Sequence, residues 1–299
     1  MIKRIPAQVA RGFAMGAADV VPGVSGGTVA LLLGIYDRLI SNIRTGAGAL
    51  AHLVRGDVKG AVTRLGKVEW MFLIPLFAGM GLAVVVLVSW IRTQVEHHPV
   101  EVSAVFFGFV AASVFVAARE VERWDPPRFA IACVVAVGAF FALGLRTGSI
   151  DDPGLHLVFV AGAIAICAMI LPGISGAFIL LMLGMYDPIT AAVDERELAT
   201  VAVFGVGAVV GLASFSTLLH WLLDRHRSTI MAALIGLMAG SLRVLWPWPV
   251  GEGEGTHALE NVELGSPVSG EIAGAAIGAV VAALVVVMLG ELGRRHQAH

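Results

Sequence analysis

The residues of this chain that could do chemistry gather at two glycine-rich breaks. The first reads Pro22-Gly23-Val24-Ser25-Gly26-Gly27-Thr28, the second Pro172-Gly173-Ile174-Ser175-Gly176-Ala177-Phe178. Proline removes a backbone donor and disfavours helix in the residue before it, while the following glycines permit positive φ and close backbone approach. An apolar helix pattern begins after each Ser-Gly pair, so Ser25 and Ser175 stand where N-caps belong. Each break therefore predicts a short helix, an interruption (Pro22 and Gly23, Pro172 and Gly173) and a second short helix whose N-terminus opens there. Free N–H groups and the helix dipole at such an end favour an anion, a phosphate above all. Ser25, Gly26, Gly27 and Thr28 at the first break, with Ser175 and Gly176 at the second, are the candidate phosphate ligands. The competing reading is that these residues only kink helices and let them pack closely.

Ionisable residues inside apolar sequence are functional candidates by default. Asp19, three residues before Pro22, is the candidate for a coupling proton or cation; its structural alternative is a helix-end carboxylate hydrogen-bonded to the break. Arg243, in Gly240-Ser241-Leu242-Arg243, is either a phosphate partner or an anchor at the membrane interface. Asp37 and Asp187 follow Tyr36 and Tyr186 at expected helix ends, and read as structural markers of the membrane surface. His97, His98, His156, His220, His226 and His257 show no ligand spacing, and P-loop, Rossmann and Ser-His-Asp patterns are missing. No metal, cofactor or nucleic acid is expected.

The two breaks are copies of one element. Between Val21 and Asp37, nine of 17 positions recur at an offset of 150, half the 299-residue chain. Hydrophobic residues make up 58% and charged residues 14%, against about 25% charged in soluble domains, so the chain is an integral membrane protein. Cys133 and Cys167 lie in apolar runs without CxxC spacing and read as small buried hydrophobes. The N-terminus is basic and then apolar like a signal peptide, but Asp19 and Pro22 interrupt the apolar stretch; it is expected to be retained.

Apolar runs of about 20 residues, enough for roughly 30 Å of hydrocarbon, predict six spans at 70–92, 102–118, 129–146, 198–223, 229–246 and 272–290. The segments 9–43 and 155–190 are split by Pro-Gly into halves too short to cross, and predict re-entrant hairpins. Broken backbone at membrane depth is tolerated where protein or a water-filled cavity satisfies it. One set of loops carries 16 of the 20 Lys and Arg residues: 1–11, 38–69, 119–128, 224–227 and the C-terminal tail. Those loops and both termini are expected on the cytoplasmic side. Segment 247–271 reads as an irregular loop on the opposite side. Three spans separate the hairpins, and three is odd, so the second copy is expected upside down relative to the first. Gly79 and Gly108 are spaced like Gly207 and Gly236, extending the match along the halves. The expected fold is an all-α polytopic membrane protein of two inverted-topology repeats, 1–150 and 151–299. Each is a re-entrant hairpin plus three transmembrane helices, as in secondary transporters.

Pro22-Gly23-Val24-Ser25-Gly26-Gly27-Thr28 followed by Gly34-Ile35-Tyr36-Asp37, with the diverged copy at Pro172–Gly176, resembles a bacterial membrane family once filed as a domain of unknown function. Members of that family are identified as polyprenyl-phosphate (undecaprenyl-phosphate) translocases of the PopT type, and the resemblance covers nearly the whole chain. It implies that the substrate is the C55 lipid-carrier monophosphate, returned from the outer to the inner leaflet of the bacterial cytoplasmic membrane for re-use in cell-wall synthesis. It implies a transporter rather than an enzyme; the inverted repeats add alternating access, coupled to a proton or cation gradient, as the expected mechanism. The second copy carries Ala177-Phe178 where the first has Gly27-Thr28, so the two breaks are not expected to meet phosphate equally. A transporter or exchanger of a small soluble anion on the same scaffold is the alternative. A membrane phosphatase is a further one, without sequence support.

Overall fold

A computed structural model describes residues 5–20, 24–145, 148–250 and 263–297. The described chain is helical apart from a two-residue antiparallel ladder, Pro249–Val250 against Glu263–Leu264. Its order is α1 (Ile5–Asp19), α2 (Gly26–Leu32), α3 (Tyr36–Val54), α4 (Val58–Leu65), α5 (Trp70–His97), α6 (Pro99–Ala117) and α7 (Pro126–Ala142). Then follow α8 (Leu155–Ile170), α9 (Gly176–Met182), α10 (Tyr186–Asp194), α11 (Leu198–Ser241) and α12 (Ile272–Gln297).

Local sequence explains the starts. Asp57 and Asp125 cap α4 and α7, accepting from Gly60 N at 2.8 Å and Arg128 N at 3.0 Å, and prolines open α6 and α7 at positions that need no N–H donor. The helices α5, α6 and α11 are long and apolar enough to cross a membrane, and α7, α8 and the apolar part of α12 are shorter. The 44-residue run α11 is two helices joined at a kink, and together they hold residues enough for two crossings. It leaves helical geometry at His226 (φ −135°, ψ 39°), between the two spans expected there. Large aliphatic and aromatic side chains on α5, α7, α11 and α12 face outward, among them Val85, Phe129, Leu198 and Ile277. Such a surface is stable in lipid and not in water. The chain is a helical membrane protein.

Four glycines place the long helices. A Cβ on Gly79 would lie 2.1 Å from the carbonyl oxygen of Val9, and one on Gly207 2.1 Å from that of Phe159. So α1 packs on α5 as α8 packs on α11, at positions 150 residues apart on the first helix of each pair. A Cβ on Gly108 would meet the Ala279 carbonyl oxygen at 2.1 Å, and one on Gly236 that of Ala132 at 2.3 Å. Thus α6 crosses α12 while the end of α11 crosses α7: the second long segment of each half meets the third of the other. Small residues permit these backbone-to-backbone crossings, where van der Waals contact replaces the hydrophobic effect that lipid removes.

The expected hairpins differ from the structure in their second limbs. Each limb is a seven-residue helix, α2 or α9, and then turns at Gly34 (φ 64°) or Gly184 (φ 66°). The chain continues as α3 or α10, and α9 and α10 meet at a bend of 113°. Glycine in the left-handed conformation just past a helix is the usual stop, and Ile35 N and Met185 N close both turns on Ala30 O and Leu180 O. The basic segment 38–69, expected as a loop, is largely helical: it holds most of α3 and all of α4. Ion pairs join the basic segments along one edge, Arg38 with Glu69, Arg227 with Asp37 (2.6 Å) and Arg119 with Glu291 (2.8 Å).

Candidate functional site

The two breaks meet in the interior. Helix α8 ends at Ile170, where Pro172 prevents continuation, so its last carbonyls lose their helical partners. The first hairpin supplies the missing donors. Ser25 Oγ lies 3.2 Å from Leu171 O and 3.4 Å from Met169 O, and the Tyr36 hydroxyl donates to Ile170 O at 3.2 Å. In return Gly173 N, in a left-handed residue (φ 88°), donates to Thr28 Oγ1 at 2.9 Å. Ser25, Thr28 and Tyr36 are all at least 98% buried. Buried polar groups persist only when paired, so this clasp fixes the two breaks against each other. Tyr36, expected at the membrane surface, is instead a core residue reaching across 134 positions of sequence.

The N-terminus of α2 is filled from within. Ser25 caps it, its Oγ accepting from Gly27 N at 3.1 Å, and Thr28 N donates to Ser25 O at 2.9 Å. Asp19, the last residue of α1, accepts from Gly26 N at 2.6 Å, so a carboxylate stands where the dipole argument places an anion. A Cβ on Gly27 would fall 2.8 Å from the backbone oxygen of Ile170, and one on Gly26 would fall 2.5 Å from the Asp19 carboxylate and push it off Gly26 N. The second break lacks this filling. Position 169, which aligns with Asp19, is Met, and Ser175 caps α9 without a side-chain hydrogen bond.

Two cavities flank the clasp. One, of about 280 Å³, lies along α8, α9 and α11 and is lined by Ser175, Gly176, Ala177, Phe204 and Ala208 among others. The other, of about 170 Å³, lies along α1, α2, α3 and α5 and reaches Gly26, Gly27, Ile40, Ile43 and Phe77. Asp19, Ile166 and Met169 line both, forming a thin wall between them. Among the described residues Asp19 is the one ionisable side chain lining either cavity. The remaining lining is almost entirely aliphatic or aromatic.

The structure thus brings Asp19, Gly26, Gly27, Ser175 and Gly176 together around these cavities, with Ser25 and Thr28 in the clasp behind them. Pro22 and Gly23 lie outside the described residues. Pro172 is buried, and Gly173 packs on α11, where a Cβ would meet Met238 Cα at 2.7 Å. Arg243 lies just past α11 with its guanidinium 4.7 Å from the centre of the Phe140 ring, on the α7 side, and lines neither cavity. Ile166 and Met169 were not legible as site residues, because aliphatic side chains on an apolar helix carry no chemical signal. Among the described residues no cluster of three or more His, Cys, Asp or Glu could hold a metal.

A "Polyprenyl-phosphate transporter" of Vibrio cholerae is 43% identical over 244 residues, covering 80% of this chain and 76% of that protein. A "Polyprenyl-phosphate transporter" of Staphylococcus aureus is 29% identical over 257 residues, covering 80% and 85%. No solved structure matches. The family model described as undecaprenyl phosphate translocase-like matches residues 15–259, from within α1 to past the two-strand ladder's first strand. The chain belongs to the undecaprenyl phosphate translocase-like family.

Proposed function

We propose that the protein transports polyprenyl phosphate, the undecaprenyl carrier lipid, returning it from the outer to the inner leaflet of the cytoplasmic membrane. The observation that carries this reading is the pair of cavities abutting at the clasped breaks and sharing Asp19. Cavities of about 300–1,000 Å³ enclose a drug-sized ligand. Spaces of about 280 and 170 Å³ therefore suit a phosphate head group and not a C55 chain. The tail stays in lipid while the head group passes between α8, α9 and α11 on one side and α1, α2 and α3 on the other.

Alternating access follows from two inverted-topology repeats, 1–150 and 151–299, rocking about the clasp. Both termini and the basic loops are cytoplasmic in this scheme. In the clasped state Gly26 N and Gly27 N already have acceptors, and the hydroxyls of Ser25 and Thr28 are committed. Opening the clasp releases Ser25 and Thr28 to the phosphate, with Ser175 and Gly176 offering donors from the opposite hairpin. Arg243 is the outlying cation that the head group approaches on leaving the larger cavity.

Asp19 couples this movement to protons. Among the described residues, a phosphate in either cavity faces one lining carboxylate and no lining cation. At an effective dielectric of about 20, two unit charges roughly 5 Å apart repel by about 3 kcal/mol. Phosphate entry is therefore linked to protonation of Asp19, which also loosens its hold on Gly26 N and frees that donor. The test is reconstitution: purified protein in liposomes should move a short-chain polyprenyl phosphate between leaflets, faster under an imposed proton gradient. Uptake of a water-soluble anion without lipid-phosphate transfer, or no transfer under any gradient, overturns the proposal.

A further inference from the structure

The α3–α4 hairpin carries a surface that the transport reading does not use. The first half of α3 is core, with Tyr36, Leu39, Ile40 and Asn42 buried. Beyond it only Ala49 and, across the turn, Ala61 are buried, the two small residues on the facing sides of α3 and α4. The turn between the helices is well built: Gly56 has φ 76°, Asp57 Oδ1 accepts from Gly60 N at 2.8 Å, and His52 Nδ1 lies 2.8 Å from Asp57 Oδ2. This is a formed helical hairpin.

Its outer surface is amphipathic. Leu50, Leu53 and Val54 on α3 and Val58, Val62 and Leu65 on α4 are all exposed, Val54 at 82%. Their spacings of three and four residues put each set along one stripe of its helix. Around them stand Arg44, Arg55, Lys59, Arg64 and Lys67, all exposed. The acids nearby, Asp57 and Glu69, are held by His52 and by Arg38. The hairpin is thus an apolar stripe bordered by five cations.

Two features fix what covers it. Trp70, 46% exposed, follows the hairpin directly, donates from Nε1 to Leu65 O at 2.9 Å, and starts the membrane-length helix α5. Tryptophan at a helix start marks head-group depth, so the stripe continues the lipid-facing surface of α5. The cations match the phosphates of anionic lipid, which attract such residues near the surface. We infer that α3–α4 is an in-plane paddle resting on the anionic leaflet of the protein's own membrane. Its stripe from Leu50 to Leu65 dips to the acyl boundary and Arg55, Lys59 and Lys67 sit on lipid phosphates.

The inference does not depend on the transported substrate, and it is tested without a transport assay. The full-length chain carrying Cys133→Ala and Cys167→Ala receives single nitroxides at Val54→Cys, Val58→Cys or Lys59→Cys. It is reconstituted in phosphatidylcholine vesicles with or without phosphatidylglycerol. Collision rates with oxygen, concentrated in lipid, and with a nickel chelate, confined to water, read the depth. Labels at 54 and 58 should favour oxygen severalfold over the label at 59, most strongly with phosphatidylglycerol. Arg55→Glu with Lys67→Glu should lift the label at 58 toward the chelate in anionic vesicles only. Equal chelate access at all three positions in both lipids puts the hairpin in water and overturns the inference. Shielding from both reagents with spin–spin broadening assigns the stripe to a second copy of the chain, and overturns it equally.

Discussion

Replacing Asp19 by Asn tests the coupling step most directly, because it removes the charge and little else. The amide oxygen of Asn can still accept from Gly26 N, now 2.6 Å from Asp19 Oδ1, so α2 keeps its N-terminal partner. A hydrogen bond to a charged acceptor is worth about 1.5–3 kcal/mol net and a neutral one about 0.5–1.5, so the fold should lose about 1 kcal/mol. The effect on substrate is larger and of opposite sign. Without the carboxylate, the roughly 3 kcal/mol repulsion of a phosphate in the shared cavity disappears, about two decades of affinity. In wild type that gain is available only when Asp19 binds a proton, so affinity should rise as pH falls; in Asp19→Asn it is present at every pH. The assay is transfer of a short-chain polyprenyl phosphate in liposomes across a pH series, with and without an imposed proton gradient. The phosphate's own titration affects both proteins alike, so the difference between their profiles isolates Asp19. The variant should transport with a flatter pH profile and no acceleration by the gradient. A variant with the wild-type pH profile and gradient response refutes the assignment.

Three other outcomes are expected. Gly27→Val drives a branched side chain toward Ile170 O, which a Cβ alone would approach to 2.8 Å, and overpacking of about 1–3 kcal/mol should force the clasp open and abolish transport; Ala177→Val, at an exposed cavity-lining position, should be milder, and the reverse order in the same liposome assay refutes the placement. Tyr36→Phe leaves Ile170 O without its buried donor and should lower the unfolding free energy in detergent by about 1–3 kcal/mol; an unchanged unfolding transition refutes the clasp's contribution. The hydrogen bonds from Arg38, then Asn42, hold the Glu69 carboxyl below its usual range; a depressed acid stabilises above its ordinary pKa and loses that contribution as pH falls through the lower folded value. Because both partners are nearly half exposed, the Glu69→Gln penalty should stay below about 1 kcal/mol, be present at neutral pH and vanish in strong acid, as read by thermal unfolding against pH.

What the sequence made legible was whatever rests on local backbone chemistry. Pro172 and the glycines specify a break, Ser25 specifies a cap, and Gly79, Gly108, Gly207 and Gly236 mark helix crossings, since only a missing side chain permits such approach. The turns at Gly34 and Gly184 were equally local: glycine past an apolar helix is a stop signal, and reading through it merged α2 with α3. What could not be read are contacts between distant parts of the chain. Nothing near Tyr36 says that its hydroxyl completes a helix end 134 residues away. The doubled motif suggested anion sites at two unequal breaks, and nothing in it says that Ser25, Thr28 and Gly173 bind the copies to each other. The charge of Arg243 likewise does not say that its guanidinium stacks on the Phe140 ring of α7.

The differences between the two copies follow from that mutual use. A clasp between two identical breaks would need every donor to meet an acceptor of the same kind on its partner. Here one copy gives hydroxyls (Ser25, Tyr36) and the other gives backbone carbonyls at 169–171, with Thr28 accepting the single return bond from Gly173. Phe178 fills the place matching Thr28 and is buried in a small cluster with Ala139, Leu143 and Val244, so the second copy turns an apolar side chain where the first turns a hydroxyl. Met169 stands where Asp19 does and gives the wall between the cavities its apolar half. Replacing Phe178 by Thr would make the copies more alike in sequence while burying a hydroxyl in an apolar cluster, and replacing Met169 by Asp would put a second carboxylate on the lining that both cavities share. Divergence at these positions is therefore what allows a duplicated element to close on itself around one carboxylate.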